Sequence, residues 1–440
     1  METWKQLQRY PSAVAGLIII FLLVATAIYA VIAIPYNEAI RLWRGGEEVW
    51  YQNPKLAPPI WTNFFSSTKL PVSFAAGTVD GDMTKRITPK DETSSTIDIA
   101  YTFDFTYDGY PQEMILYFRT KYEQKQPFVS ITWVTPDGRN IKIGNFGVTQ
   151  NFTYRMSQDN KLVSMFGDDP MEGLFTDFQT NKPLKGTYQL LITGTTFEKE
   201  SDIDAEFVFH GQIHGWAGTD HARRDLVIPL LWGAPIGLIF GVFASLATII
   251  LSLVIATVGS WYGGWLDDLI QRVTEIFLML PFISILIMVA TFFSRSIWVI
   301  MGTAVLLSIF SGSIKQYRAQ LLQLKESMYI EAARAYGASD LRIIFQYLIP
   351  RMIPLLVPVC VSSVPVFIFL EASLALIGLG DPVLPTWGKI ISDAYTNGAL
   401  YKGYYYWILE PAAVLMITGL GFAMLGFTLD RIFNPRLRDL

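Results

Sequence analysis

The chain has 440 residues, 51% of them apolar and only 16% charged, with a mean hydropathy of +0.34. A soluble domain carries about a quarter charged residues, so this composition points to a membrane protein. A formal charge of −4 excludes a basic nucleic-acid binder, and a single cysteine, Cys360, excludes an intrachain disulfide framework and any multi-cysteine zinc site.

Residues 10–37 contain no Asp, Glu, Lys or Arg. About 20 helical residues cross a hydrocarbon core of roughly 30 Å, so this run predicts a first spanning helix within residues 1–40. Lys5 and Arg9 ahead of it also suit a cleaved signal peptide. The apolar run, however, outlasts the roughly 7–15 residues of such a segment.

Residues 41–217 are predicted to be an extracytoplasmic region holding an all-β, sandwich-like insert at about 66–214. Ile97, Ile99, Tyr101, Phe103, Phe105 and Tyr107 alternate with polar residues, the period of a half-buried strand. Phe128–Val134 and Asn140–Phe146 flank Pro136-Asp137-Gly138, which predicts a hairpin. Tyr188–Thr193 and Ile203–Ile213 read as further strands. His210, His214 and His221 suggest a zinc site, but spacing places no fourth ligand. A rim of polar side chains on an outward strand end accounts for them as well.

Residues 218–440 hold five more charge-free windows, at 226–266, 276–294, 296–314, 352–370 and 411–429. Each central charge costs about 2.5–3.5 kcal/mol on insertion scales, so these windows predict five further spans. The first is long, and is read as one helix plus an interfacial end loosened by Gly259, Gly263 and Gly264. Glu275 is expected to begin the third helix, with Asp267, Asp268 and Arg272 as solvated anchors before it. Glu371 lies between apolar runs of the fifth. Such a carboxylate either faces a translocation path or a partner subunit, or ends the span at the interface. Cys360 is expected to be a packing residue.

Residues 315–351 are too long for a turn and too polar to span. Lys325–Tyr336 is rich in helix formers, Gly337-Ala338-Ser339-Asp340 breaks it, and a second short helix is expected to stop at Pro350. Lys and Arg collect in the N-terminal tail, in this loop and in the C-terminal tail (Arg431, Arg436, Arg438). That bias puts all three in the cytoplasm and residues 41–225 outside.

Glu331-Ala332-Ala333, then Gly337 and Pro350, resembles the EAA motif of ABC-importer permeases. Gly218-Thr219-Asp220 through Arg224-Asp225, Glu371-Ala372 through Gly378-Leu379-Gly380 with Trp387-Gly388, and Asn434-Pro435-Arg436 resemble blocks of the C-type permeases of oligopeptide, dipeptide and nickel transport. The resemblance covers residues 1–65 and 215–440, about two thirds of the chain; the β insert has no counterpart in common members. The chain departs from the pattern at Arg223, where the family usually has Gly, at Pro229 and at Phe427.

The resemblance implies a type I importer permease fold of six transmembrane helices in the cytoplasmic membrane. It implies a loop whose Glu331, Ala332, Ala333, Gly337 and Pro350 dock an ATPase. The implied partners are a second homologous permease, two cytoplasmic ATPases and an extracytoplasmic substrate-binding protein. The chain lacks a Gly-x-x-x-x-Gly-Lys-Ser/Thr loop, so ATP and Mg are expected on the partner ATPases and no cofactor on this chain. Peptides are the implied cargo, with nickel chelates and glycosides carried by relatives. Two other classes stay open: a membrane-anchored receptor or sensor whose β domain binds a ligand or protein partner, and a membrane-bound enzyme. For the enzyme no Ser/His/Asp or Cys/His order is recognisable.

Overall fold

The computed structural model describes residues 9–167 and 169–433. Lys5, Asn434-Pro435-Arg436 and Arg438 lie outside them. The chain divides into a helical unit, residues 1–44 and 228–440, and a β unit, residues 45–227.

The helical unit begins with α1 (Pro11–Ala33) and the short α2 (Tyr36–Arg44). Gly16 in α1 carries no side chain because a Cβ there would lie 2.7 Å from the Gly421 carbonyl oxygen. The Trp232 indole donates to the Ile34 carbonyl at 3.2 Å and fixes the end of α1.

In the β unit, β1 (Phe74–Gly77), β4 (Glu113–Lys121), β7 (Asn151–Arg155) and β11 (Asp202–His210) form one antiparallel sheet in the order β1-β11-β4-β7. The second sheet runs β2-β3-β10-β5-β6, from β2 (Thr84–Pro89), β3 (Ser95–Phe105), β5 (Phe128–Val134), β6 (Asn140–Gly147) and β10 (Gly186–Thr196). One core fills the space between them: Leu116, Phe118, Phe207 and Phe209 from the first sheet meet Ile99, Phe105, Trp133 and Tyr188 from the second. Aromatic edge and tilt contacts such as Phe105 to Phe175, 4.6 Å between centroids, supply the cohesion that no disulfide provides. Phe175 belongs to α4 (Pro170–Phe175), which with α3 (Asn160–Phe166) and the two-residue strands β8 (Thr176–Asp177) and β9 (Lys182–Pro183) links the sheets. Val134 pairs with Asn140 across the expected turn, where Gly138 takes φ +84°.

His210 is not on an outward rim. It ends β11, fully buried, and His214 lies beyond the strand. His210 Nε2 donates to the Tyr51 carbonyl at 2.9 Å, which leaves Nδ1 to accept from Arg223 Nη1 at 3.2 Å. Arg223 itself takes φ +66°, a backbone conformation glycine adopts freely. Its guanidinium offsets part of that strain by donating to the Asn53 carbonyl at 2.6 Å. Nearby, Asp220 accepts from the Ala222 and Arg224 amides and from Arg224 Nε at 2.6 Å, while the Thr219 hydroxyl donates to Pro54. The Asp220 bonds close the turn, and those of Thr219 and Arg223, with the Ala57 amide donating to the Thr219 hydroxyl, tie residues 53–57 to it. Among the described residues no group of three or more His, Cys, Asp or Glu is placed to hold a metal.

Burial, then the Arg223 charge, pushes the His210 imidazole down to about 3. Its folded value lies below the unfolded value of about 6.5, so the folded state binds fewer protons as pH falls between the two. The stabilisation is full above about pH 6.5 and drains by up to about 1.4 kcal/mol per pH unit on the way to pH 3. Burial lowers His214 in the same sense; it raises Asp225, which has the opposite sign and acts only nearer its own range. Thermal unfolding of the full chain followed by proteolysis of the β unit is expected to show a midpoint that drops from pH 7 to pH 4.5. His210→Gln, which keeps a donor for Tyr51 and cannot titrate, is expected to flatten that slope.

The helical unit resumes with α5 (Val227–Tyr262), α6 (Gly264–Met279), α7 (Phe282–Phe292), α8 (Ile297–Ile309), α9 (Gly312–Lys325) and α10 (Met328–Ala335). It closes with α11 (Asp340–Leu376), α12 (Trp387–Thr396) and α13 (Tyr406–Phe433). Among the described residues α1, α5, α11 and α13 are each long and apolar enough to cross a membrane. The pairs α6–α7 and α8–α9 reach that length only across bends of 77° and 46°.

Three expectations are corrected here. Gly259 does not loosen α5; it sits inside the helix, where a Cβ would press on Ile270 at 3.0 Å, and the break falls at Gly263 and Gly264, both with positive φ. Glu275 does not begin a helix but lies in α6, ahead of the bend that Pro281 imposes. Asp267 is not a solvated anchor: it is buried and takes a bidentate bond from Arg318 at 2.5–2.9 Å, while Glu275 pairs with Lys315 at 3.2 Å, so α6 and α9 are joined by two ion pairs.

Candidate functional site: the suspended helix and the buried carboxylate

Helix α5 ends at Tyr262, and its last carbonyls need partners. Lys325 Nζ, at the end of α9, donates to the Ser260 carbonyl at 3.0 Å and the Trp261 carbonyl at 2.8 Å. The Arg334 guanidinium, from α10, lies over the Trp261 ring at 4.6 Å from its centroid. Trp261 is thus held from two sides by residues of α9 and α10. Beneath it, Ile330 and Ala333 of α10 pack into a cluster with Leu253 of α5, Leu321 of α9 and Met352 of α11. The opposite face of α10 is open: Met328, Glu331, Ala332 and Tyr336 are exposed. Ala332 and Ala333 therefore do not share a face; one turns out and the other in, as their separation of about 100° around a helix demands.

Gly337 follows with φ +78°, the left-handed turn that ends α10. The Ser339 side chain makes no cap bond, and α11 starts at Asp340. Pro350 does not stop that helix. The turn just before it, Ile344–Leu348, widens to a π-helix, and the chain continues without a break to Leu376. A proline lacks the N–H and crowds the carbonyl four residues back; a widened turn absorbs both. The region expected as two short helices joined at Gly337 therefore belongs to three helices, with α10 slung between two longer ones.

Glu371 is buried in α11, not solvated at a helix end. Among the described residues its Oε1 has no hydrogen-bond partner, and the Thr386 hydroxyl at the start of α12 is the carboxylate's polar neighbour. Helix α12 is pressed onto α11 here: a Cβ on Gly388 would lie 2.5 Å from the Ala372 Cα and 2.8 Å from the Ala375 Cβ. Trp387 reaches across to α5, where its indole donates to the Leu230 carbonyl at 2.9 Å above Gly233. The Trp387-Gly388 pair is thus the joint of three helices. A crevice of about 710 Å³ opens between α1, α5, α8 and residues 381–384, with Arg295 and Trp298 at its wall; Glu371 does not line it. Cys360 packs in the α5–α11 contact, where the Ser245 hydroxyl donates to its carbonyl at 2.9 Å.

Long apolar helices around a tightly packed joint, with a short helix slung from the ends of two of them, define a multi-pass membrane protein. Residues 237–439 match the family described as binding-protein-dependent transport system inner membrane component. The chain is similar to the oligopeptide transport system permease protein OppC of Bacillus subtilis (strain 168), 29% identical over 51% of this chain and 72% of that protein. It is also similar to the dipeptide transport system permease protein DppC of the same organism, 28% identical over 51% and 69%. A third relative is the glutathione transport system permease protein GsiD of Pectobacterium atrosepticum, 28% identical over 51% and 73%. The chain is a permease subunit of an ABC importer, not itself an enzyme.

The latch on Trp261 was not legible in the sequence. It joins residues 261, 325 and 334 from three segments, and no local pattern marks it.

Proposed function

We propose that the chain forms half of a membrane path for peptides, brought by an extracytoplasmic binding protein and driven by separate cytoplasmic ATPases beside a second permease. The names of its relatives, oligopeptide, dipeptide and glutathione permeases, support the substrate class. Counting each bent pair as one span gives six, with both termini in the cytoplasm and residues 41–225 outside. Lys315, Arg318, Lys325 and Arg334 all lie on α9 and α10, and such a positive cluster favours the cytoplasmic side.

The observation that carries this reading is α10 itself: a short helix with its inner face locked and its outer face bare. ATP binding closes the ATPases on Glu331, Ala332 and Tyr336. Gly337 lets α10 tilt as a unit, and Ile330, Ala333 and the Trp261 latch pass that tilt to α5, α9 and α11, with the widened turn before Pro350 as the compliant point. A rigid-body shift of this kind exchanges inward and outward openings. Glu371 acts at the α11–α12 joint, facing the path or the partner permease.

Cross-linking tests it. In a Cys360→Ser chain, Tyr336→Cys is expected to bond to the ATPase subunit, with a yield that changes when nucleotide is added. No adduct in either state would sink the coupling role. Glu371→Gln is expected to lower transport while the chain still binds its ATPase; unchanged transport would remove Glu371 from any such role.

A further inference from the structure

Most of the β unit exposes apolar side chains singly; one end does not. Phe64 and Phe65 are each 85% exposed and Trp216 is 82% exposed, with Ile60 and Trp61 open beside them. The Trp61 indole donates to the Trp216 carbonyl at 3.0 Å, and its ring stands edge-on to Phe65 at 6.2 Å, so these residues form one built patch. Among the described residues nothing accepts from the Trp216 indole N–H.

Connectivity says where this patch belongs. Ile60 N donates to the Gly215 carbonyl at 2.9 Å, Thr219 N to Ala57 at 2.8 Å and Leu56 N to Asp220 at 3.1 Å. The two segments so joined are the ones that run on to α2 and α5, and only a turn closed by the Thr219–Asp225 bridge separates Trp216 from the start of α5. The aromatics therefore lie on the stalk by which the β unit is attached to membrane helices. Exposed Ser66, Ser67, Thr68 and Lys69 follow them directly. Aromatic rings with a free indole N–H, edged by polar and basic groups, match the headgroup layer, where rings enter the apolar side and N–H groups meet lipid oxygens.

We propose that Phe64, Phe65 and Trp216 seat in the headgroup layer of the outer leaflet and brace the stalk of the β unit on the lipid surface. This rests on the reading that the β unit is extracytoplasmic.

The single native cysteine makes a direct test possible. In the Cys360→Ser full chain, reconstituted in phosphatidylcholine–phosphatidylglycerol vesicles with and without its partner subunits, an environment-sensitive fluorophore is attached at Phe64→Cys or Trp216→Cys. Both labels are expected to emit to the blue and to be quenched by nitroxide-bearing lipid. A label at Val79→Cys, 72% exposed in the same unit, is expected to stay aqueous. Labels at 64 and 216 that behave like the one at 79 overturn the proposal. So does a blue shift that arises only when the second permease or the binding protein is added and that resists the lipid quencher. An impermeant maleimide on Val79→Cys in whole cells separates the two levels. Reaction only from the cytoplasm overturns the topology itself. Reaction from outside, with aqueous labels at 64 and 216, overturns the lipid contact alone.

Discussion

Trp261→Ala is expected to cut transport about tenfold or more while the complex still assembles and still hydrolyses ATP. The side chain is the only part of the latch that the substitution removes. Lys325 donates to the backbone carbonyls of Ser260 and Trp261, and those bonds survive. What goes is the ring under Arg334, at 4.6 Å, the longer contact with Lys325 at 5.7 Å and the ring's share of the buried cluster with Leu253, Leu321 and Ile330. A partly desolvated cation over an indole contributes about 0.5–2 kcal/mol, enough to set whether α10 and α5 move together or slip. The buried face of α10, Ile330 and Ala333, keeps the helix in place at rest, so assembly persists. Trp261→Phe retains a weaker ring and is expected to fall between. The measurement is paired: nucleotide hydrolysis and uptake in the same vesicles. A loss of both in proportion would mean that Trp261 holds the fold, and an unchanged uptake would mean that force reaches α5 by another route.

Much of this architecture was legible because the bilayer punishes charge so heavily. Each charge-free window contains a helix or lies within one, and the period-two run at Ile97–Phe105 lies within β3. Turn chemistry at Pro136-Asp137-Gly138 placed β5 and β6 because proline and a left-handed glycine leave the backbone few alternatives. Charge counting cannot see shape, and so the bends at Pro281 and before α9 escaped it, as did the π turn that carries the chain through Pro350. Strands β1, β2, β4 and β7 and the two-residue β8 and β9 were missed too. In β4, Met114-Ile115-Leu116 is buried as a continuous run, and without alternation such a run is ambiguous between strand and helix. The buried His210 was misjudged because nothing local to a strand end tells that Tyr51 and Arg223, from other segments, close over it. Of the candidate site, the residues were found and their directions were not: Ala332 and Ala333 point apart, and the latch on Trp261 exists only once three segments meet.

The joint at Gly388 sets the largest effect on stability. Gly388→Val is expected to destabilise the helical unit by more than the roughly 1–3 kcal/mol of ordinary overpacking, because the obstacles are the Cα of Ala372 and the Cβ of Ala375, neither of which can rotate away. Relief requires α12 to lift from α11. That motion would draw Trp387 off Gly233 and break its bond to the Leu230 carbonyl, and it would leave Glu371 without Thr386. One methyl-bearing side chain thus loosens α5, α11 and α12 together. Thermal denaturation of the detergent-solubilised chain, read by fluorescence-detected size exclusion, is expected to show a large drop in midpoint and little monodisperse protein. Gly302→Ala in α8 is the control: a Cβ there meets nothing within 4 Å, and alanine is the better helix former by about 1 kcal/mol, so that variant is expected to be as stable as the parent or slightly more so. If Gly388→Val matches Gly302→Ala, the close approach of α12 to α11 is wrong, and the placement of Glu371 beside Thr386 goes with it.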